Sequence, residues 1–472
     1  MRYRLLIVFL LSAVPLRLCA DSEVEATKPN IVLFLIDDLG WMDLGCQGSD
    51  YYQTPNIDRL AESGVRFTNA YASCAVCSPT RASILTGKYP ARLLLTQWLP
   101  DGRWSPQKHR MRPGRFLRSL PLEEITLAEA LRESGYKTLH IGKWHLGGEP
   151  FSMPRHHGFD INIAGADHGA PGSFFFPYKG KWTVPTTNID VQKQTLKDGV
   201  EGEYLPDRLT DEAISLIKKN KESPFFLYFP YYAVHTPLQA KKEKIERYAE
   251  VPKSQRQGNP AYAAMVESVD ENIGRIMKAL DDLALTKNTI VVFTSDNGGF
   301  AKATDNSPLR ANKGSHYEGG IRVPLIIKGP GTNETGKVCD LPVISNDLYP
   351  TLLELADLPL RPNQHVDGIS LAPLLRDGKS LNRTKLFWHY PHYNQHPENT
   401  PVSIIRDGNW KLIEFLESSE TELYDLARDI GETKNLVNKK PKITKRLRDQ
   451  LYAWKKETGA EPMTPNPDYK AP

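Results

Sequence analysis

The chain has no apolar run long enough to cross a bilayer, no tandem repeat and no low-complexity tract. Its longest near-continuous apolar stretch, Leu5 to Leu16, covers 12 residues and is broken by Ser12 and Pro15. A helical span of the ~30 Å hydrocarbon core needs about 20. Charge of one sign is also scarce: 60 Lys and Arg against 56 Asp and Glu leave +4 over 472 residues. That excess is too mild to argue for a nucleic-acid partner. Only five cysteines are present, so a disulfide framework is excluded. Hydrophobic content of 40% and charged content of 25% are ordinary for globular proteins, which sets aside a disordered chain, a collagen and a multi-span membrane protein.

Arg2 and Arg4 precede the short apolar run, and the small Ala20 follows it. This is the pattern of a secretory signal over residues 1–20, cut near Ala20 and leaving no membrane span in the mature chain. Removing it leaves Cys46, Cys74, Cys77 and Cys339. Cys74 and Cys77 form a C-x-x-C. A zinc site would need two further ligands at matching spacing, and a redox pair would need its own small βαβ unit. Neither surrounds them, and the reading that one cysteine has a separate task stays open.

Asn30–Ile36 reads NIVLFLI, the unbroken apolar run of a strand buried on both faces. Similar runs recur at Thr138–Ile141, Phe225–Phe229, Thr289–Thr294 and Val323–Ile327, with amphipathic patterns between them, among them Ala261 to Leu285 and Asp347 to Leu355. Alternating strands and helices predict an α/β fold with a large, doubly wound, mostly parallel sheet flanked by helices. After about residue 375 the pattern becomes short strand-like runs and a basic helix, Ile443 to Thr458. The expected organisation is a catalytic domain over 21–375 and a small C-terminal antiparallel sheet with a helix over 376–472. Region 148–224, rich in Gly, Pro and aromatics, reads as long loops with short helices.

In open α/β sheets, ligands bind beyond the carboxyl ends of the strands. At those ends stand Asp37-Asp38, Asp296-Asn297, His235 and the Lys143-Trp144-His145 triplet. Two carboxylates ~5 Å apart repel by about 3 kcal/mol at an effective dielectric of ~20, so three together call for a counter-charge. An all-oxygen set suits Ca²⁺ or Mg²⁺. The plain alternative makes these residues separate caps and turns. Cys77-Ser78-Pro79-Thr80-Arg81 predicts a helix start with Ser78 or Cys77 as cap, helix over Thr80 to Thr86, and Gly87 as its end. Arg81 then returns to the face of Cys77, and the helix N-terminus favours an oxyanion there.

The longer segments CSPTRASILTGKYP, TPNIDRLAESGVRFTNAY, GYKTLHIGKWHLG, TSDNGG, KGSHYEGGIRVP and ELYDLARDIGETKNL, in that setting and spacing, resemble the type I sulfatases of the alkaline phosphatase superfamily from about Asn30 to Leu436. The resemblance implies a sulfuric ester hydrolase in which Cys77 is oxidised to formylglycine by a formylglycine-generating enzyme. It implies a divalent cation, usually Ca²⁺ with Mg²⁺ possible, on Asp37, Asp38, Asp296, Asn297 and the modified Cys77. It places Arg81, Lys143, His145, His235 and Lys313 around the sulfate and the hydrated aldehyde, with His145 as base and His235 or Lys313 as acid. The expected substrate is a sulfated carbohydrate, and the expected location is secreted or periplasmic (lysosomal or extracellular in a eukaryote). The alternative within the superfamily is a phosphodiesterase or phosphonate hydrolase, and outside it a silent carbohydrate-binding relative. Glu318-Gly319-Gly320 reads as a structural turn holding Lys313. His156, His157, His168, Trp98, Trp104, Phe174–Phe176 and Tyr178 read as loop anchors ahead of sugar contacts. The sulfate-pocket residue expected from the 150–175 loop has no sequence signal.

Overall fold

The computed structural model describes residues 28–100, 102–180, 196–332 and 336–470. The signal expected over 1–20 lies outside them. Eight strands form the main sheet: β1 Asn30–Ile36, β2 Val65–Phe67, β3 Lys137–Ile141, β4 Ile161–Ile163, β5 Phe225–Pro230, β6 Thr289–Ser295, β7 Leu325–Lys328 and β8 Lys337–Cys339. Their spatial order is β8-β2-β7-β6-β1-β5-β3-β4. All neighbours pair in parallel except β7, which runs antiparallel to β2 and β6.

The alternation of β1 explains the layering. Val32, Phe34 and Ile36 enter one core with α1 (Pro55–Glu62), α4 (Leu205–Lys219) and α5 (Pro260–Asp282). Ile31, Leu33 and Leu35 enter the other with α2 (Cys77–Thr86), α3 (Leu127–Glu133) and α6 (Leu348–Leu355). A strand covered on both faces must be apolar at every position, as NIVLFLI is.

A second sheet, β9 Lys385–Tyr390, β10 Val402–Asp407, β11 Trp410–Phe415 and β12 Thr421–Asp425, is a four-stranded antiparallel meander. Helix α7, Pro441–Thr458, packs on it through Leu447, Leu451 and Trp454. No described helix is long and apolar enough to cross a membrane.

Two expectations need correcting. Region 148–224 contains the 15-residue helix α4, whose Leu205, Leu209, Ala213 and Ile217 recur every fourth residue. Its own periodicity is clear, but the Gly- and Pro-rich sequence before it dominates the regional composition. Helix α2 starts at Cys77 itself. Val76, in extended conformation and without a side-chain cap, precedes it, and Pro79 falls at the third position. Gly87 ends α2 at φ 71°, the left-handed C-terminal geometry that glycine adopts without strain.

Candidate active site

In-register pairing of β1 with β6, Ile36 beside Ser295, makes the two acidic tips leave the sheet side by side. Asp38 takes φ 64°, a left-handed conformation that Asp tolerates better than most residues. Its N–H donates to Asp296 Oδ1 at 3.2 Å, and Asn297 Nδ2 donates to Asp38 Oδ1 at 2.8 Å. From β3, Gly142 turns the chain at φ 116°, where a side chain would collide with Pro230 O. The turn delivers the buried Lys143, whose Nζ lies 2.6 Å from Asp37 Oδ2. From the far side comes Lys313, 2.6 Å and 2.7 Å from the two oxygens of Asp38. Lys313 rides on a tight loop in which a Cβ on Gly298 or Gly320 would strike backbone carbonyls.

Cys77, at the first position of α2, points its Sγ at Asp37 Oδ1, 3.6 Å away. Burial pushes its thiol up to about 12, against the pull of Lys143 and Lys313. One turn on, Arg81 is fully buried and largely committed. Its Nε and Nη2 donate to Asp296 Oδ2 at 2.9 and 2.7 Å, and Nη1 donates to Lys143 O at 2.9 Å. His145, at φ 59°, is held by its Nε2–H donating to Leu99 O at 2.6 Å. Burial and the adjacent Lys143 keep the ring far below the ordinary histidine range, and Nδ1 has no hydrogen-bond partner. Gly169 packs directly on that ring, where a Cβ would be only 2.5 Å away, so the 150–175 loop contributes a cover to the site. His235 donates from Nδ1 to Thr236 O at 2.8 Å, which turns a bare Nε2 toward Asp38 Oδ2, 3.6 Å off.

The ten residues picked from the sequence are therefore brought to one edge of the sheet. Asp37, Asp38, Cys77 and His235 each offer a ligand atom within 4.8 Å of the others. His235 Nε2 faces Asp38 Oδ2, which also accepts from Lys313 Nζ at 2.7 Å. Burial, with Asp296 and Asp38 adding to it, pushes Asp37 up to about 7 despite Lys143. Asn297 Oδ1 is buried without a partner. The oxygen donors of Asp37, Asp38 and Asn297 fit a hard divalent cation.

Above Lys313 opens a cavity of about 270 Å³ lined by Asp38, His235, Phe300, Lys302 and His396 among others. His396 belongs to the loop after β9 and went unnoticed in the sequence. Asn394 Nδ2 donates to Gly314 O at 2.9 Å and pins that loop over the Lys313 segment. His396 packs edge-on against Phe300, with ring centroids 5.8 Å apart. The loop follows a strand end and carries no periodicity or motif that marks it. Among the described residues, the suspected sugar contacts line no part of this cavity. Phe174 and Tyr178 are buried in the core, His156 accepts from Met153 N, and Trp104 donates to Met111 O.

The Sulfatase family profile matches residues 29–358. The chain belongs to the sulfatase family. A second profile, N-sulphoglucosamine sulphohydrolase, C-terminal, matches residues 311–457. A sulfatase of Formosa agariphila is 33% identical, covering 96% of this chain and 93% of its own. Human N-acetylgalactosamine-6-sulfatase is 34% identical over 76% of this chain and 68% of its own. The crystal structure of Ps i-CgsB in complex with k-i-k-neocarrahexaose superposes with TM-score 0.76 and 32% identity, covering 91% of this chain and 93% of that one. The sulfatase is thus a sulfuric ester hydrolase on an α/β scaffold.

Proposed function

We propose that this sulfatase is secreted after loss of residues 1–20 and hydrolyses sulfate monoesters of a saccharide by S–O cleavage, through a formylglycine hydrate made from Cys77 by a formylglycine-generating enzyme. The unit 21–375 carries the chemistry and 376–472 completes the cleft. The observation that carries the reading is the state of Cys77. Its Sγ sits at the buried first position of α2, 3.6 Å from Asp37 Oδ1 and within 4.8 Å of ligand atoms of Asp38 and His235, where burial disfavours the thiolate and leaves the thiol a poor nucleophile. The hydrated aldehyde removes that contradiction. One of its oxygens attacks sulfur and displaces the alcohol. Its second hydroxyl then collapses to the aldehyde, breaking the bond to sulfate, and water restores the hydrate.

The neighbouring groups suit the steps. His145 Nδ1, bare and unpartnered, takes the proton of the collapsing hydroxyl. Lys313 gives two of its three hydrogens to Asp38 and keeps one for the leaving oxygen. His235 borders the same cavity and shares contact with the ester. Lys143 and Lys313 neutralise the sulfuryl oxygens. Arg81 acts chiefly by bracing Asp296 and the Lys143 backbone. Asp37, Asp38, Asp296, Asn297 and residue 77 would hold the cation, Ca²⁺ in this proposal, which when bound supplies positive charge to the sulfate oxygens. Similarity to an N-acetylgalactosamine-6-sulfatase and to a sulfatase-family structure in complex with a neocarrahexaose supports a sulfated carbohydrate as substrate.

Mass spectrometry of the Cys77 peptide from active enzyme tests the mechanism. The aldehyde is expected, and an intact thiol in fully active protein contradicts it. Rates on matched aryl sulfate and phosphate diester substrates are expected to favour the sulfate. The reverse preference points to the phosphodiesterase branch of the superfamily.

A further inference from the structure

The cavity above Lys313 has a neighbour. A larger one, about 480 Å³, is bounded by Gln257, Asn259, Thr304, Asn312 and Glu398. Ala301 and Lys302 wall both cavities, which are therefore adjoining compartments of one cleft. The C-terminal loop runs along both, giving Gln395 and His396 to the first and Glu398 to the second. Arg103 Nε donates to Gln395 Oε1 at 3.1 Å, a second tether beside Asn394.

The larger compartment is walled mostly by amides, hydroxyls and backbone, a lining that suits a hydroxylated ligand over an apolar one. Its carboxylates are engaged: Asp305 accepts from Ser307 N and Oγ, and Glu398 accepts from Arg310. Among the described residues, unspent donors face the cleft, Asn259 and Lys302 included. Asn259 uses only its Oδ1, which caps α5 by accepting from Ala261 N, and its Nδ2 is free. Lys302, exposed at the junction, makes no hydrogen bond or ion pair. In the first compartment Asp38 is the one carboxylate among the described lining residues, and Lys313 already holds it. An anionic group arriving at the junction thus meets the uncommitted ammonium of Lys302, while of the lining carboxylates Asp38 and Glu398 are ion-paired and Asp305 is held by Ser307.

We infer that the cleft binds a saccharide chain over at least two adjoining rings, the ring bearing the scissile sulfate above Lys313 and the next ring in the larger compartment. Lys302 receives an anionic substituent, sulfate or carboxylate, where the two rings meet. This rests on the sulfatase reading and deepens it from a sulfated sugar to a charged chain. Length is recognised because a single ring fills only the smaller compartment. Charge is recognised because the ammonium at the junction has no internal partner to satisfy it.

Calorimetric titration of the full-length Cys77→Ala protein tests this without turnover. The probes are two monosaccharides, galactose 4-sulfate and N-acetylgalactosamine 6-sulfate, and two tetrasaccharides, of ι-carrageenan and chondroitin 6-sulfate. One tetrasaccharide is expected to bind at least about tenfold tighter than its monosaccharide. Adding Lys302→Ala is expected to remove most of that gain, about three- to tenfold. Asn259→Asp, which keeps the helix cap and swaps the free donor for a carboxylate, weakens the tetrasaccharide and spares the monosaccharide. Equal affinity for both lengths, a gain that survives Lys302→Ala, or no binding by either series overturns the inference. Turnover of 4-nitrocatechol sulfate by the Cys77-bearing enzyme is measured in parallel. Its absence overturns the sulfatase reading, whatever the lengths that bind.

Discussion

Two buried ionic clusters flank the segment 313–322 and share it. Lys313, near its start, belongs to the first, with Asp37, Asp38, Asp296, Arg81 and Lys143. Glu318, five residues on, belongs to the second. There Lys411 Nζ lies 3.0 Å from Glu318 and 2.8 Å from Glu432, while Tyr71 OH and Arg322 donate to Glu318 at 2.7 and 3.2 Å. Burial opposes ionisation of Glu318, but Lys411 wins and holds it down to about 2. In the second cluster, charge tied to charge from the C-terminal sheet fixes the shape of the turn. In the first, His235 Nε2 faces Asp38 Oδ2, Asn297 Oδ1 has no partner, and a cavity adjoins. The same residue types thus make a clamp where they tie the turn to the C-terminal sheet, even with burial and Glu318 pushing Glu432 up to about 7, and a reaction site where a cavity adjoins them.

Removing the reacting group should separate the clusters most sharply. Cys77→Ala is expected to lower kcat by on the order of 10⁴–10⁶-fold while leaving the denaturation midpoint nearly unchanged. Steady-state kinetics beside urea unfolding checks both halves. Lys411→Ala should do the opposite. It takes the shared ammonium from two buried carboxylates, leaving Glu318 to Arg322 and Tyr71, and Glu432 with no cation of this cluster. The change is expected to cost about 3–5 kcal/mol of stability, with kcat per folded molecule within about threefold of the parent. A large rate loss without destabilisation would erase the distinction between clamp and site. Added Ca²⁺ is expected to raise the parent's thermal midpoint, and Asp38→Asn should fall between the two variants, losing that rise along with about 10²–10³ in kcat/KM. An unaltered Ca²⁺ response in that variant removes Asp38 from the cation site.

The smallest effect concerns protons on the C-terminal side. Burial holds His392 down to about 3, below the 6.5 of an exposed histidine. Above pH 6.5 it is neutral folded or unfolded. As pH falls from 6.5 toward 3, only the unfolded chain takes the proton, so stability drops by about 1.4 kcal/mol per pH unit from this group. His392→Gln should flatten the stability–pH curve by that slope in that window. An unchanged slope in urea titrations at pH 6.5, 5.5 and 4.5 would show the ring to be solvated.

What the sequence made legible follows the same division. Asp37-Asp38 and Asp296-Asn297 stand out because uninterrupted apolar strands end at them, and a parallel sheet sends such ends to one edge. Cys77 and Arg81 stand out because helical spacing relates them. His396, Gln395 and Lys302 carry no local signal. Their placement depends on long-range tethers, such as Asn394 to Gly314, 80 residues apart. Helix α2 starts three residues ahead of the Thr80 that the sequence suggests, because the extended backbone of Val76, with no capping side chain, sets it. Strand β12, Thr421–Asp425, was not picked out by pattern, since only Leu423 and Tyr424 in it are buried.

Strand β1, whose seven residues are all buried between two helical layers, has a consequence for endurance. Its amide protons should be among the last to exchange with solvent, opening only with the whole fold. The acidic pair at its end is thereby bolted to the slowest-breathing part of the molecule. Loops at the rim can fray, be trimmed or be rebuilt for another ester while the sulfate-cleaving floor keeps its dimensions.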